Sequence, residues 1–167
     1  MTSPLRVLIV RDARESTKKC SLTPLRGLAG VEFRSWVRER PIALPPCTLL
    51  HPDGAALSPL DAELPILLVD SSWHHLPQVL RDLTGEPPRR SIPPGFVTAY
   101  PRRSRLYEDP ASGLASVEAL YVASVLLGIE RLDFLHGYRF APEFLSRNAA
   151  RLDELRADAR AFADPRR

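Results

Sequence analysis

The sequence predicts an α/β fold: an N-terminal half built on a mostly parallel sheet, followed by an all-helical C-terminal half. Three observations carry this reading. Ile66-Leu67-Leu68-Val69-Asp70 is continuously apolar up to its last residue, as a strand covered on both faces should be. Arg6-Val7-Leu8-Ile9-Val10 repeats the pattern near the N-terminus. From about residue 114 the period changes: Leu114, Val117, Tyr121, Val125 and Gly128 lie at helical spacing.

The remaining elements fall between these anchors. A polar stretch, Arg11 to Thr23, follows the first strand, and a polar loop after a strand is where α/β proteins place ligand chemistry. Val31 to Trp36 alternates loosely and predicts a second strand, and Cys47 to Leu50 a third, after the breaks at Pro41, Pro45 and Pro46. Leu57-Ser58-Pro59 marks a helix start or a turn. A helix is expected from Pro77 to Leu83, stopped by Gly85, and an extended segment from Ser91 to Tyr100. Two further helical stretches follow, Leu132 to Leu135 and Pro142 to about Ala163. There is no internal repeat and no low-complexity tract.

Composition narrows the class. The chain has 167 residues, 44% apolar and 26% charged, enough to bury a core and too apolar for wholesale disorder. No apolar run reaches the ~18 residues of a membrane span, and Val7 to Val10 is too short for the core of a signal peptide. The expectation is a cytoplasmic protein with no membrane association. Its two cysteines, Cys20 and Cys47, are then reduced thiols. With four histidines they complete no zinc spacing, so no metal is expected.

The net charge of +3 is unevenly spread. Residues 1–40 carry 9 Lys/Arg against 4 Asp/Glu, whereas residues 41–85 carry 1 against 5. A basic N-terminal third can meet phosphate, or can be a solvated surface. Of the 23 basic residues only two are lysines, and they are adjacent, Lys18-Lys19.

No GxGxxG, Walker loop, HExxH or GxSxG is present, which removes the main support for dinucleotide, kinase and hydrolase readings. Asp70-Ser71-Ser72-Trp73 closes the most apolar strand. An acid at that position can bind a ribose hydroxyl, hold an ammonium or accept a proton, and Trp73 can wall a pocket. In the plainer reading, Asp70 caps the next helix and Trp73 is core. Thr17-Lys18-Lys19-Cys20-Ser21 suits an anionic partner, or is an exposed basic loop. Arg89-Arg90 and Arg102, Arg103 and Arg105, interleaved with Tyr100 and Tyr107, suit an RNA backbone and its bases.

Taken in order, these pieces resemble the small-subunit (18S/16S) rRNA aminocarboxypropyltransferases, SPOUT-like enzymes that move the 3-amino-3-carboxypropyl (acp) group of S-adenosylmethionine (SAM) onto a uridine. The family's K-K-C-T is met by Lys18-Lys19-Cys20-Ser21, its L-S-P by Leu57-Ser58-Pro59, and its D-x-S-W by Asp70-Ser71-Ser72-Trp73. Its L-S-x-x-E-A is met by Leu114-Ala115-Ser116-Val117-Glu118-Ala119, and Phe134, Gly137, Phe140 and Asn148 echo its later aromatic stretch. The match runs from about residue 6 to 152, as a divergent homologue: Tyr100 stands where the family has an asparagine and His136 where it has a tryptophan.

The resemblance implies a SPOUT-like α/β domain over 1–91, a helical domain over 92–167, a deep trefoil knot, and a SAM pocket between the two. It implies that Ser21 and Trp73 line the methionine part of SAM, that the backbone at Val69, Ile92, Ser112 and Ser116 holds ribose and adenine, and that Asp70 is a base or holds the acp amino group. Lys18, Lys19, Arg89, Arg90, Arg102, Arg103 and Arg105 would grip RNA. The partner would be rRNA and the protein a monomer. The other activities compatible with the residues are acp transfer to tRNA, SPOUT-type methyl transfer, and a catalytically silent RNA-binding module.

Overall fold

The computed structural model of the chain describes residues 4–16, 18, 20–101, 113–164 and 166. Five strands form one parallel sheet in the order β2-β1-β5-β4-β7: β1 is Val7–Asp12, β2 Val31–Trp36, β4 Thr48–Ala56, β5 Ile66–Asp70 and β7 Arg89–Ser91. Two short strands, β3 (Ile42–Ala43) and β6 (Leu83–Thr84), pair separately, also in parallel. The helices are α1 (Leu76–Asp82), α2 (Ser116–Leu126), α3 (Ala141–Arg147) and α4 (Ala149–Ala163), with single 3-10 turns at Thr23–Leu25, Pro59–Glu63 and Leu132–Leu135. The mixed α/β class with a mostly parallel sheet is therefore as the sequence predicts. Among the described residues no helix is long and apolar enough to cross a membrane.

The central strands β1 and β5 are apolar up to their last one or two residues because both sheet faces are covered there. Val7, Ile9, Ile66 and Leu68 share one face and pack with Leu120, Tyr121, Phe134 and Phe144. Leu8, Val10, Trp36 and Leu67 share the other and pack with Val79 of α1. The period of two along a strand sorts neighbours to opposite sides, so Arg11 and Asp70 continue the first face and Asp12 continues the second. α2 is buried at every position from Val117 to Leu126 except Ala119, which is half-buried, which is why it reads as apolar all round rather than amphipathic.

Several boundaries differ from the sequence reading. β1 runs on through Arg11 and Asp12, whose charges do not stop the ladder because both are paired within the protein. β4 is longer than Cys47 to Leu50, and its register with β7 breaks between Leu50 and Ala55. Gly54 lies in that irregular stretch, where a Cβ would stand 2.5 Å from the carbonyl carbon of Arg89; only glycine lets the two backbones approach so closely. Leu57-Ser58-Pro59 is a helical start: Asp61 accepts from the backbone N–H of Ser58 at 3.0 Å, a capping box. The single helix expected from Pro142 to Ala163 is broken at Asn148. The Asn148 side chain accepts from Val97 N–H and donates to the Val97 carbonyl, both at 2.8 Å, so the break is tied to the extended segment before α2.

Candidate functional site

In a parallel sheet, ligands collect at the carboxyl ends of the strands where the strand order reverses. Here that point lies between β1 and β5: the chain leaves β1 toward β2 on one side, and the later strands β4 and β5 lie on the other. Arg11 and Asp70 stand at those two strand ends and are direct cross-strand partners. Arg11 Nε donates to Asp70 Oδ2 at 2.8 Å. Cys20, from the loop after β1, closes a triangle: Arg11 Nη2 donates to its Sγ at 3.1 Å, and the thiol donates to Asp70 Oδ2 at 3.1 Å. The Leu22 N–H also points at the sulfur, at 3.4 Å. Burial and then the Asp70 carboxylate push the Cys20 thiol pKa up, which keeps it protonated and able to donate.

The guanidinium of Arg11 also lies over the Phe33 ring at 5.0 Å, a ring that Arg26 covers at 4.6 Å. Arg11 is only 5% exposed. With its Nε and Nη2 spent, its Nη1 is buried and has no hydrogen-bond partner.

One residue along the strand, Asp12 faces the opposite side. Its carboxylate accepts from the Arg14 N–H and Nε at 3.0 Å and from Arg14 Nη2 at 2.8 Å. Burial works against its ionised form, but the Arg14 bonds prevail and its pKa is lowered. Ligand atoms of Asp12, Glu15 and His75 come within 4.8 Å of one another, a metal-like grouping. Its atoms are engaged in part: Asp12 is held by Arg14, Glu15 Oε1 accepts from the Ser72 N–H at 2.9 Å, and Ser72 Oγ meets His75 Nδ1 at 3.1 Å.

Of the residues singled out from sequence, the structure joins Asp70 to Cys20, the cysteine of the Lys-Lys-Cys-Ser run. The plainer readings of the D-x-S-W segment do not hold. Asp70 caps no helix, since α1 begins after His75, and Trp73 is 39% exposed rather than core. Ser21, Val69 and Ser116 are half-buried, and Ile92 packs against the larger core cluster. Lys18 and Arg89 are exposed. Arg90 is not a free cation: its Nε donates to Asp61 Oδ1 at 3.0 Å. Lys19, Arg102, Arg103, Arg105 and Ser112 lie outside the described residues.

Two buried charged residues have no assigned role in the sequence reading. Glu118, fully buried on α2, accepts from Thr98 Oγ1 at 2.7 Å, the Ala99 N–H at 3.0 Å, the Ala115 N–H at 2.8 Å and Tyr138 Oη at 2.8 Å. With Asn148 it pins segment 97–99 from both sides. The second is Arg11, whose partner Asp70 is 59 positions away; a charged residue directly after Val7 to Val10 was the only signal. A separate groove of about 510 Å³ opens at the amino ends of the strands, lined by Arg6, Val31, Pro45 and Pro65 among others. It lies at the far end of the sheet from the paired charges.

The fold has a solved counterpart. The chain resembles the structure of the SAM-dependent rRNA:acp-transferase Tsr3 from Vulcanisaeta distributa, with a TM-score of 0.69 over 92% of this chain and 84% of that one. At 22% identity the likeness to Tsr3 is one of fold. No family model and no curated protein matches the chain.

Proposed function

We propose that this protein transfers the acp group of SAM to a uridine-type base of ribosomal RNA. The observation that carries the reading is the Asp70-Ser71-Ser72-Trp73 segment leaving the central strand at the switch point, on a fold shared with Tsr3. In this reading the architecture is SPOUT-like with a deep trefoil knot, its halves meet near residues 91 and 92, and the pocket lies between them. The donor set fits SAM. A buried guanidinium with an unspent N–H and a carboxylate stand side by side, and the exposed ring of Trp73 follows three residues after Asp70.

When bound, SAM would supply a methylene carbon activated by the sulfonium; N3 of the base, its proton given up to water, would bond to that carbon as the C–S bond breaks and leaves its electron pair on methylthioadenosine. The protein's part is placement. Trp73 and Ser21 line the methionine part and turn the methyl group away from the RNA. The backbone at Val69, Ile92, Ser112 and Ser116 holds ribose and adenine. Asp70, already ion-paired to Arg11, suits the ammonium of the arm better than it suits taking the N3 proton. Lys18, Lys19, Arg89, Arg102, Arg103 and Arg105 grip phosphates, with Arg90 shared with Asp61, so RNA affinity falls with salt. The protein works as a cytoplasmic monomer without a metal.

A second reading, a catalytically silent RNA-binding module on the same fold, is favoured by that same Arg11–Asp70 pairing, which occupies the only acid of the motif. One experiment separates the readings. The chain is incubated with total RNA and SAM labelled in the carboxypropyl chain, and nucleosides and small products are analysed. Label in a uridine of small-subunit rRNA with release of methylthioadenosine supports acp transfer to rRNA. Label in tRNA moves the substrate, S-adenosylhomocysteine indicates methyl transfer, and RNA binding without either product leaves the silent module.

A further inference from the structure

Six arginines among the described residues lie over aromatic rings. Four of them, Arg11, Arg14, Arg131 and Arg151, are also paired to a carboxylate. Arg26 and Arg139 are the other two. Both are exposed, and among the described residues neither guanidinium has a hydrogen-bond or ion-pair partner. Arg26 Cζ lies 4.6 Å from the centre of the Phe33 ring, and Arg139 Cζ 5.7 Å from that of Phe140. A guanidinium held over a ring keeps its N–H groups free, and its position is set before a partner arrives. That suits an anion that offers two oxygens to one fork.

The two arginines flank one seam. Pro24 and Gly137 meet there so closely that a Cβ on residue 137 would stand 2.2 Å from Pro24 Cβ, a contact only glycine allows. Each arginine is two residues from that contact, Arg26 on the loop after β1 and Arg139 on the loop before α3. Residues 20–28 and 134–142 contain no acid, so nothing local neutralises the pair. The Phe33 ring under Arg26 also carries Arg11, at 5.0 Å, the partner of Asp70. Arg26 is thus one ring away from the paired charges at the strand ends. We propose that Arg26 and Arg139 form a phosphate clamp across this seam and hold single-stranded RNA with a base turned toward Asp70. The proposal rests on the RNA reading above and adds two residues that belong to none of the motifs in the sequence. N3 lies on the pairing edge of a uridine, so the base must be unpaired to react, and the strand that carries it is single there. Two cations on separate loops meet phosphates of that strand and touch no base edge, so the clamp positions the RNA without reading its sequence.

The test is fluorescence anisotropy of the full chain with a labelled oligouridylate of about ten nucleotides, over a salt series. Each phosphate contact on a single strand adds about 0.7 to the slope of log affinity against log salt. Arg26→Gln and Arg139→Gln are each expected to lower the slope by that amount and to weaken binding about two- to fivefold at low salt. The double variant should lower the slope by about 1.4. Arg26→Lys keeps the charge without the fork, and should keep the slope while it weakens binding. Arg160→Gln removes an exposed arginine near the end of α4 and should leave the slope unchanged. A slope that survives in the double variant, or that falls as far in Arg160→Gln, overturns the clamp and leaves the RNA reading standing. If poly-glutamate binds as tightly as the oligouridylate and loses as much in the double variant, the seam takes acidic protein and the RNA clamp is overturned. Failure of the unsubstituted protein to bind the oligouridylate overturns both the clamp and the RNA reading.

Discussion

Arg11 and Asp12 are consecutive on β1, both almost fully buried, and they end on opposite faces of the sheet in opposite conditions. Asp12 is satisfied locally: Arg14, two residues on, gives it three hydrogen bonds and then lies over the Trp36 ring at 5.5 Å. Arg11 is satisfied only in part, by residues 9 and 59 positions away, and keeps one N–H unspent. The difference is between a turn that locks itself and a charge held in place by the whole fold. Short-range, complete pairing stabilises a loop. Long-range, incomplete pairing costs desolvation that no partner in the protein returns, and such a cost is tolerated where function uses it.

The comparison predicts which charges report themselves in stability. The strongest case of complete pairing is Glu118, with four donors and no exposure. Glu118→Ala leaves those donors without an acceptor and frees segment 97–99 from α2. We expect a loss of about 3–5 kcal/mol in urea denaturation. A loss below about 1 kcal/mol would mean that the segment is held by something other than this carboxylate.

The two residues of β1 can be set against each other directly. Asp12→Ala removes a complete local network and should cost about 1–3 kcal/mol. The double change Arg11→Met with Asp70→Leu replaces an incompletely paired buried ion pair by apolar side chains. It should be neutral or stabilising by about 1–3 kcal/mol, while SAM affinity is lost. If the double variant is destabilised as much as Asp12→Ala, the Arg11–Asp70 pair is a structural element and the contrast between the two faces collapses.

This contrast also explains what was legible in the sequence. The central strand was, because burial on both faces writes a continuous apolar run, Ile66–Asp70 in β5; β2, Val31–Trp36, was read from a looser alternation. The position of Asp70 at a strand end was legible for the same reason. Its partner was not, because a cross-strand pair joins residues 59 apart with no local pattern to announce it. Arg11 looked like the start of a polar loop, since a charge after four apolar residues ordinarily ends a strand. The break at Asn148 was hidden likewise: the apolar spacing continues through it, and only the bonds to Val97 reveal that the backbone turns there. β3 and β6 are too short, at two residues each, to carry any period.

The smallest effect tests whether the same rule holds in the helical half. Tyr121 on α2 donates to Glu130 Oε1 at 2.6 Å and accepts from Arg156 Nη2 at 3.1 Å, a complete cluster far from β1 in sequence. Burial, and then the Glu130 carboxylate, push the phenol pKa from 10.0 up to about 12, against the opposing pull of Arg156. The folded state thus holds this proton more tightly than the unfolded chain does. The stability it contributes is intact below pH 10 and is lost as pH climbs from 10 toward 12. Tyr121→Phe removes the titrating group. At pH 9 the variant should be less stable by about 1 kcal/mol, the net worth of one hydrogen bond. Between pH 10 and 12 that gap should close, as the unsubstituted protein loses what the variant never had. SAM affinity at neutral pH should be the same in both, because a fully paired group has nothing left to offer a ligand. Stability curves that stay parallel through pH 12 would show that the phenol gives up its proton as easily folded as unfolded, and completeness of pairing would then be a poor guide to where this protein stores its stability.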